Sequence, residues 1–214
     1  MTERPHTVFI VDDDDAIRGS LSRALGKRGY DVQSFASAQD FLDAYDGGRP
    51  GCLILDQGMP GMTGLQLQDH LLKSGHGLPI IFITGHGGVP ESVQAMKRGA
   101  IDFLEKPFRQ TVLIERIEAA LELARNQAET DAQNRRLLDR FGRLTARELE
   151  IVRLILADPS AISSKDIGRR LDISPRTVDH HRARILEKLE ISSVVELVDM
   201  ARRTDLDRLC VGEG

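Results

Sequence analysis

Residues 8–15 read VFIVDDDD, four apolar residues followed by four aspartates. A short apolar run is typical of one buried strand, whereas adjacent aspartates repel one another and disfavour strand structure. The stretch therefore predicts a strand that ends where the carboxylates begin. Because open α/β sheets bind ligands beyond the carboxyl ends of their strands, it indicates both the fold and the position of a site.

Further apolar runs after this stretch are predicted as strands: Asp31–Phe35, Cys52–Leu55, Leu78–Ile83 and Ile101–Leu104. Stretches with helical periodicity alternate with them: Ala16–Lys27, Ala38–Tyr45, Gly64–Lys73, Glu91–Arg98 and a long one from Thr111. Five such alternations predict a parallel sheet covered on both faces, which is a doubly wound α/β domain.

The strand signals stop after Gly142, and the remaining chain has only helical patterns: Thr145–Leu156, Ser164–Leu171, Pro175–Leu189 and about Ser193–Arg203. Ser174 and Pro175 form a typical helix start, with a capping hydroxyl and a proline in the first turn. We expect a small all-α domain of four helices. The predicted organisation is an α/β domain over 1–124, a polar helical linker over 125–141 and a helical domain over 142–214.

The composition excludes several classes of protein. The cysteines, Cys52 and Cys210, lie too far apart for a disulfide framework or a zinc-binding spacing, which favours a reducing cytoplasm. The start, MTERPHTVF, has no apolar signal region, and no stretch approaches the roughly 18 apolar residues of a membrane helix. We therefore expect a cytoplasmic protein without membrane contact.

The distribution of charge is uneven along the chain. A formal net charge of -4 argues against a general polyanion binder. Between Arg169 and Lys188, however, six basic residues face three acidic ones, with His180 and His181 beside them. This local excess indicates a surface that binds a polyanion.

Reactive side chains follow several of the predicted strands at their carboxyl ends. Asp12 and Asp13 follow the first strand, Asp56 the third, Thr84 ends the fourth and Lys106 follows the fifth. Clustered carboxylates favour a hard cation such as Mg²⁺. A carboxylate beside such a metal can attack phosphorus and become an aspartyl phosphate, which a lysine and a hydroxyl would stabilise.

The segments VDDDD, LDQGMPGMTG, FITGHG and AIDFLEKPF make residues 5–124 resemble the receiver domain of bacterial two-component response regulators of the NarL/FixJ kind. The resemblance implies a CheY/flavodoxin-like sheet with strand order 2-1-3-4-5. It also implies the following roles: Asp56 as phospho-acceptor, Asp13 as direct Mg²⁺ ligand, Asp12 as water-mediated ligand, the Gly58 carbonyl as a further ligand, Lys106 as phosphate partner, and Thr84 and Phe103 as switch residues.

The segment KDIGRRLDISPRTVDHHRARILEKL is typical of a helix-turn-helix motif, with a capped second helix that carries the basic residues. Residues 142–204 resemble the LuxR-type helix-turn-helix domain, and His181 matches that family's inward-facing histidine. The resemblance implies base or phosphate contacts from these residues: Arg176, Thr177, Asp179, His180, Arg182, Ala183, Arg184 and Lys188. Asp179 stands where a lysine is frequent, and its carboxylate can accept from cytosine N4.

Two departures from the family patterns affect these expectations. Gln57 and Gly58 follow the expected phospho-acceptor, and neighbours of that residue can tune the lifetime of the acyl phosphate. The segment ADPSAISSK between Ala157 and Lys165 is a few residues longer than the usual loop of the family. It is expected to shift a docking helix or to touch the receiver.

Together the two resemblances imply a transcription regulator that receives phosphate from a sensor histidine kinase, pairs as a homodimer when phosphorylated and binds double-stranded DNA. RNA polymerase is a further candidate partner. Such a protein is not an enzyme in the usual sense, although a receiver catalyses its own phosphotransfer and dephosphorylation.

Alternative functions stay open at this point. A nucleotide hydrolase with a Walker B-like strand lacks its Walker A, because Leu21 and Arg28 stand where Gly and Ser or Thr are required. A haloacid-dehalogenase-like phosphatase would need a DxD nucleophile motif plus a cap or a long core, whereas the C-terminal third of this chain is predicted to form DNA-binding helices. A receiver that only mediates protein contact, without phosphorylation, is the third alternative.

Overall fold

The computed structural model describes residues 6–75, 77–85, 88–157 and 163–203. The chain divides into two compact units, Met1–Glu129 and Thr130–Gly214. Residues 158–162, most of the long loop ADPSAISSK, lie outside the described residues. So do Cys210 and the rest of the predicted domain beyond Arg203.

The first unit contains a five-stranded parallel sheet with strand order β2-β1-β3-β4-β5. The strands are β1 (Thr7–Val11), β2 (Asp31–Phe35), β3 (Gly51–Asp56), β4 (Ile80–Thr84) and β5 (Asp102–Glu105). The predicted fold class and strand order are confirmed.

Five helices connect and follow these strands: α1 (Asp15–Gly26), α2 (Ala38–Ala44), α3 (Gly64–Lys73), α4 (Val89–Lys97) and α5 (Gln110–Phe141). Alternate residues of the buried strands enter two separate cores, since successive side chains of a strand point to opposite faces. In β1, Phe9 packs with Phe41 and Phe82 on one face, while Ile10 packs with Ile117 on the other. The sheet is therefore covered on both faces.

Two predicted elements of the first unit need correction. The fourth strand begins at Ile80 instead of Leu78; Pro79 accepts a bond from Leu53 N through its carbonyl but has no N–H to donate to a ladder. In α5, the fully buried face is formed by Leu113, Ile117, Ala120 and Ala124. The spacing of apolar residues in the sequence predicts a seam of Ile114, Ile117, Leu121 and Ala124. In the structure, Ile114 and Leu121 lie only partly buried at the edge of the buried face.

The second unit contains the four predicted helices: α6 (Ala146–Ala157), α7 (Ser164–Leu171), α8 (Pro175–Leu189) and α9 (Val194–Arg203). The end of α5 contributes to their core through buried Phe141 and partly buried Leu137. The sequence predicts that Leu137, Leu138 and Phe141 all pack against the domain that follows, but Leu138 is 39% exposed. Among the described residues, none of the helices is long and apolar enough to cross a membrane.

The turn between α7 and α8 depends on one glycine. A Cβ at Gly168 would lie 2.6 Å from the carbonyl oxygen of Ile173, so a larger residue would push the turn away from α7. Asp172 ends α7 in the left-handed conformation, with φ of 53°, and Ile173 N donates to Gly168 O. These contacts set the start of α8 close against α7.

Gly64 provides a test of how α3 is seated on β3. A Cβ there would lie 2.5 Å from the carbonyl oxygen of Asp56 and 2.9 Å from the Phe82 ring. We expect Gly64→Ala to lower the free energy of unfolding by about 1–3 kcal/mol through overpacking. Tyr30 and Tyr45 are the chain's two tyrosines, and there is no tryptophan. Urea unfolding followed by tyrosine fluorescence therefore reports on this unit.

Gly26→Ala is the matched control, because a Cβ at Gly26 would meet no atom of the described residues within 4 Å. It should leave the first unit unchanged or stabilise it by up to about 1 kcal/mol. Equal stabilities for the two variants would show that α3 is free to move away from β3.

Candidate functional site

Two buried carboxylates and one ammonium group meet at the carboxyl ends of the strands. Lys106 Nζ lies 2.8 Å from Asp12 Oδ2 and 2.7 Å from Asp56 Oδ1. Asp12 is 0% and Asp56 6% exposed. The two carboxylates are neighbours because β1 and β3 pair in parallel, with Val11 opposite Leu55, immediately before them. The predicted convergence of these three residues is therefore present.

The backbone holds the other carboxylate oxygens in place. Asp14 N donates to Asp12 Oδ1 over 2.9 Å, and Gly58 N donates to Asp56 Oδ2 over 2.6 Å. The amide of Lys106 donates to Thr84 O over 2.7 Å, which ties the residue to the end of β4. The peptide bond between Lys106 and Pro107 is cis, a feature that the sequence analysis missed.

The site holds more negative than positive charge. Burial raises the pKa of Asp12, and it outweighs the bonds from Lys106 and the Asp14 amide, which lower it; the charge of Asp56 raises it further. Burial acts to lower the pKa of Lys106, but the bonds and charges of Asp12 and Asp56 raise it overall. One ammonium group thus stays protonated between two buried carboxylates, and a second cation would be stabilised there.

The four aspartates of the opening stretch have four different environments. Asp12 is buried in the cluster, and Asp13 is exposed. Asp14 caps α1, since its carboxylate accepts from the amides of Ala16 and Ile17. Asp15 lies in the first turn of α1, where its negative charge meets the positive end of the helix dipole. The sequence predicts that Asp14 and Asp15 serve the start of the following helix, and the structure confirms this.

The predicted magnesium ligands fit a hard cation in their chemistry but are not assembled as a cage. Among the described residues, no group of three or more His, Cys, Asp and Glu side chains is arranged to hold a metal. Carboxylates of Asp12, Asp13 and Asp56 with the Gly58 carbonyl would be the all-oxygen set that Mg²⁺ prefers. In this structure Lys106 supplies the cationic group between two of them.

The two predicted switch residues lie on the neighbouring strands. Thr84 ends β4 and is 2% exposed, opposite Glu105 of β5. Phe103 lies opposite Phe82 in the same pair of strands, with the ring centroids 5.8 Å apart. Both residues are in place beside the cluster's strands, and their switching role stays a prediction.

The second unit presents one polar face of α8 to solvent. Val178, Ile185 and Leu189 are buried in the core, and Ser174 caps the helix by accepting from Thr177 N. The residues on the other side of the helix are exposed to solvent: Pro175, Arg176, Thr177, Asp179, His180, Ala183, Arg184 and Glu187. Six of the predicted contact residues therefore share one exposed face.

Lys188, another predicted contact residue, makes an ion pair within the unit. Its ammonium group contacts the carboxylate of Glu148 over 2.6 Å, and the Glu148 side chain is 2% exposed. Burial acts to raise the pKa of Glu148, but bonds from Lys188 and Thr145 lower it overall. Glu148 also accepts from Thr145 N at the start of α6. Lys188 thus joins α8 to α6, which makes a structural role more consistent with its position than a contact with a polyanion.

Two other predicted residues of α8 make contacts within the unit. Ser164 Oγ, at the start of α7, donates to the Asp179 carboxylate and accepts from Arg182 Nη1. Arg182 is only partly exposed. His181 is also partly buried, and its Nδ1 is enclosed without a hydrogen-bond partner among the described residues, in agreement with an inward orientation.

The end of α5 holds the end of α8, a link that the sequence analysis missed. Arg140 donates to Leu189 O over 3.3 Å and pairs with Glu190 over 2.9 Å. Arg143 pairs with the same carboxylate over 3.4 Å. These residues are about fifty positions apart in sequence, and no local pattern joins them.

Comparisons with known proteins agree with both resemblances. Residues 8–118 match the response regulator receiver domain, and residues 143–201 match the bacterial regulatory proteins of the luxR family. The transcriptional regulatory protein TdiR of Thauera aromatica is 41% identical over 202 residues, covering 94% of this chain and 88% of that protein. FixJ of Bradyrhizobium diazoefficiens is 39% identical over 206 residues, covering 96% and 98%.

Solved structures give the same result. The response regulator StyR superposes with a TM-score of 0.79 at 38% identity, covering 94% of this chain and 100% of that chain. Full-length FixJ from B. japonicum superposes with a TM-score of 0.57 at 38% identity, covering 95% and 99%.

Removing the charge of Asp12 should stabilise the metal-free protein. In EDTA at neutral pH we expect Asp12→Asn to raise the thermal midpoint of the first unit by about 2–4 °C, since Lys106 keeps Asp56 as its partner. The folded state holds the Asp12 proton more tightly than the unfolded chain. The cost of the charge is therefore absent below the ordinary pKa of 3.8 and develops as pH rises through the higher folded value.

Asp13→Asn is the matched control, because Asp13 is exposed. It should leave the midpoint in EDTA unchanged at each pH. The advantage of Asp12→Asn should grow as the pH rises from about 4 towards 7. An Asp12→Asn variant that is less stable than the parent at neutral pH would contradict the assigned charge balance.

Proposed function

This chain belongs to the response regulators that combine a receiver domain with a LuxR-type helix-turn-helix domain, and we propose that phosphorylation of Asp56 controls its binding to double-stranded DNA. It is a two-component response regulator and transcriptional regulator, not a classical enzyme. A receiver domain implies a sensor kinase as partner, and the helix-turn-helix domain implies DNA binding.

The contact of Lys106 with Asp12 and Asp56 carries the proposal. A carboxylate oxygen of Asp56 attacks the phosphorus of a phosphohistidine on the kinase; the new O–P bond forms as the N–P bond breaks, and the histidine nitrogen takes up a proton. Lys106 lies 2.7 Å from Asp56 Oδ1 and can follow the transferred group. Receiver domains generally use Mg²⁺ in this reaction, where it neutralises phosphoryl oxygens. Asp12, Asp13, Asp56 and the Gly58 carbonyl would hold it.

Phosphorylation changes the charge that Lys106 and Thr84 face. A phosphoryl group carries about -1.5 to -2 charges and three acceptor oxygens, more than the single charge of the Asp56 carboxylate. Lys106 then divides its bonds between the phosphoryl group and Asp12, and the Thr84 hydroxyl donates to a phosphoryl oxygen. Phe103, which packs on Phe82 of the neighbouring strand, follows Thr84 and reshapes the face of α4 and β5.

The face of α4 supports pairing with a second copy of the chain. Val89 is 76%, Val93 45% and Met96 45% exposed. Large apolar side chains that are exposed together mark interaction surfaces. A homodimer formed there would bring two recognition helices to half-sites about one DNA turn, roughly 34 Å, apart.

The organisation of the chain supports this scheme. We place the receiver at 1–124, the linker at 125–141 and the DNA-binding domain at 142–214. The compact units divide between Glu129 and Thr130, inside the proposed linker, and α5 is helical from Gln110 to Phe141. A cytoplasmic location and contact with RNA polymerase follow from the role in transcription.

The exposed face of α8 is the proposed reader of DNA. Arg176, Thr177, Asp179, His180, Ala183 and Arg184 would meet base edges and phosphates in the major groove. Lys188 is assigned to the contact with Glu148. Arg182 would approach the DNA backbone only from the partly buried edge of α8.

Asp56→Asn tests the phosphorylation site. With Mg²⁺ and acetyl phosphate, the parent protein should gain one phosphoryl group in intact-mass measurements, and Asp56→Asn should gain none, because a neutral amide is not nucleophilic. The exposed Asp46→Asn is the control and should be modified like the parent. In the same solutions the parent should shift from monomer to dimer. Modification of Asp56→Asn at the parental rate would refute the site.

Arg184→Ala and Lys188→Met separate the DNA-binding face from the core contact. With a labelled duplex selected from a random pool, Arg184→Ala should lower affinity about tenfold and reduce the salt slope by about one, without loss of stability. Lys188→Met should leave buried Glu148 without its cation and lower the free energy of unfolding by about 3 kcal/mol, measured by circular dichroism. A reduced salt slope with unchanged stability in Lys188→Met would return that residue to the DNA interface.

A further inference from the structure

Gln68 is a polar residue in the buried middle of α3, only 1% exposed. Its Nε2 donates to the carbonyl oxygen of Ala95 over 3.1 Å and to that of Arg98 over 3.5 Å. Both carbonyls belong to the last turn of α4 and its C-cap. Ala95 O also accepts from the Arg98 and Ala100 amides, so the Gln68 amide adds a side-chain bond from α3 to the backbone bonds at the end of α4.

Arg98 makes the reciprocal contact from α4 to α3. Its Nη1 lies 3.5 Å from Leu65 O and 3.6 Å from Asp69 Oδ1. Gln68 and Arg98 thus cross the same gap in opposite directions, and we call these two residues the α3–α4 clasp. A groove of about 170 Å³ lies beside the clasp and includes both side chains in its lining.

The two ends of α4 are held differently. At the amino end, Gly88 is the N-cap and makes no side-chain capping bond. This end follows Thr84 after a short connection, so it is the part of the helix nearest in sequence to the phosphorylation site. Among the described residues, the clasp supplies the side-chain bonds that join the carboxyl end to α3.

The helix α3 is in turn seated on the strand that carries Asp56. Gly64 N donates to Gln57 O, and a Cβ at Gly64 would lie 2.5 Å from Asp56 O. Thr63 and Gln66 close the start of the helix with a capping box. Since α3 is tied to the end of β3, it is a fixed reference against which α4 can move.

The second polar atom of the Gln68 amide has no such use. Its Oε1 is buried and has no hydrogen-bond partner in the part of the chain that the structure describes. An enclosed acceptor without a partner is unfavourable, and an apolar side chain of similar size would avoid that cost. The stabilising part of this side chain is therefore its amide NH₂ group, which donates to the carbonyls of α4.

We infer that Gln68, together with Arg98, is a positioning residue that anchors the carboxyl end of α4 to α3, so that a change at Thr84 tilts α4 about this end and displaces mainly its amino end. The inference rests on the proposed phosphorylation of Asp56. It adds that the displacement of the pairing face is set by the clasp as well as by the switch residues.

Hydrogen exchange of the unphosphorylated full chain tests the anchor itself. Gln68→Leu keeps the volume but removes the capping bonds, and it should speed exchange of the Arg98, Gly99 and Ala100 amides at least fivefold. Gln127→Leu is the control, because Gln127 is an exposed glutamine in the lining of the same groove; it should leave these amides unchanged. Unchanged exchange in folded Gln68→Leu would overturn the anchor whether or not the protein is phosphorylated.

Exchange with Mg²⁺ and beryllofluoride, at a dilution that keeps the chain monomeric, tests the tilt. In the parent, the difference on activation should be confined to residues 88–94, and in Gln68→Leu it should extend through 95–100. The inference would be overturned if activation changed exchange as far as residue 100 in the parent. It would also be overturned if the change in Gln68→Leu stayed confined to residues 88–94. If acetyl phosphate does not modify Asp56 in the parent, the proposed function fails instead, and the fivefold effect without activation decides on the clasp.

Discussion

The shared ion pair of Lys106 with Asp12 and Asp56 is the interaction on which the proposed function of the first unit depends. Lys106 and Asp12 are separated by 94 positions in sequence, and they meet only because a parallel sheet collects the carboxyl ends of its strands at one edge. Two buried carboxylates against one ammonium group leave the site short of positive charge. That imbalance destabilises the resting protein slightly and favours a divalent cation, which in the proposed function would balance the charge of the incoming phosphoryl group.

The second unit depends on a different constraint, the fixed placement of α8. Gly168 allows the tight turn from α7, and Glu148 holds Lys188 from α6. Arg140, near the end of α5, binds Leu189 O at the helix's other end. A helix that reads DNA must present its side chains at set distances, and contacts from three neighbouring helices meet that requirement while its polar face stays exposed.

Much of the fold was predictable because local sequence patterns specify the strands, the helices and their ends. The alternation of apolar runs and helical periods gave the doubly wound domain, and Ser174 with Pro175 marked the start of α8 at the observed residue. One error has a local cause and another does not. Pro79 lacks the amide needed for a ladder, and in α5 the choice between Leu113 and Ile114 for the buried face depends on where the sheet lies, which helical periodicity alone does not specify.

The sequence by itself determined which chemistry this protein carries: the aspartates, Thr84 and Lys106 at strand ends, and a basic helix behind a turn. Residue type and spacing suffice for that, because strand ends and helix caps are local events. Only the tertiary structure decided which of these polar and charged groups are buried, which are exposed and which pair with one another. It buried Asp12 and exposed Asp13, paired Lys188 with Glu148, and set Gln68 against the end of α4. Burial and partnership depend on elements far apart in the chain, so they become defined only when the chain folds.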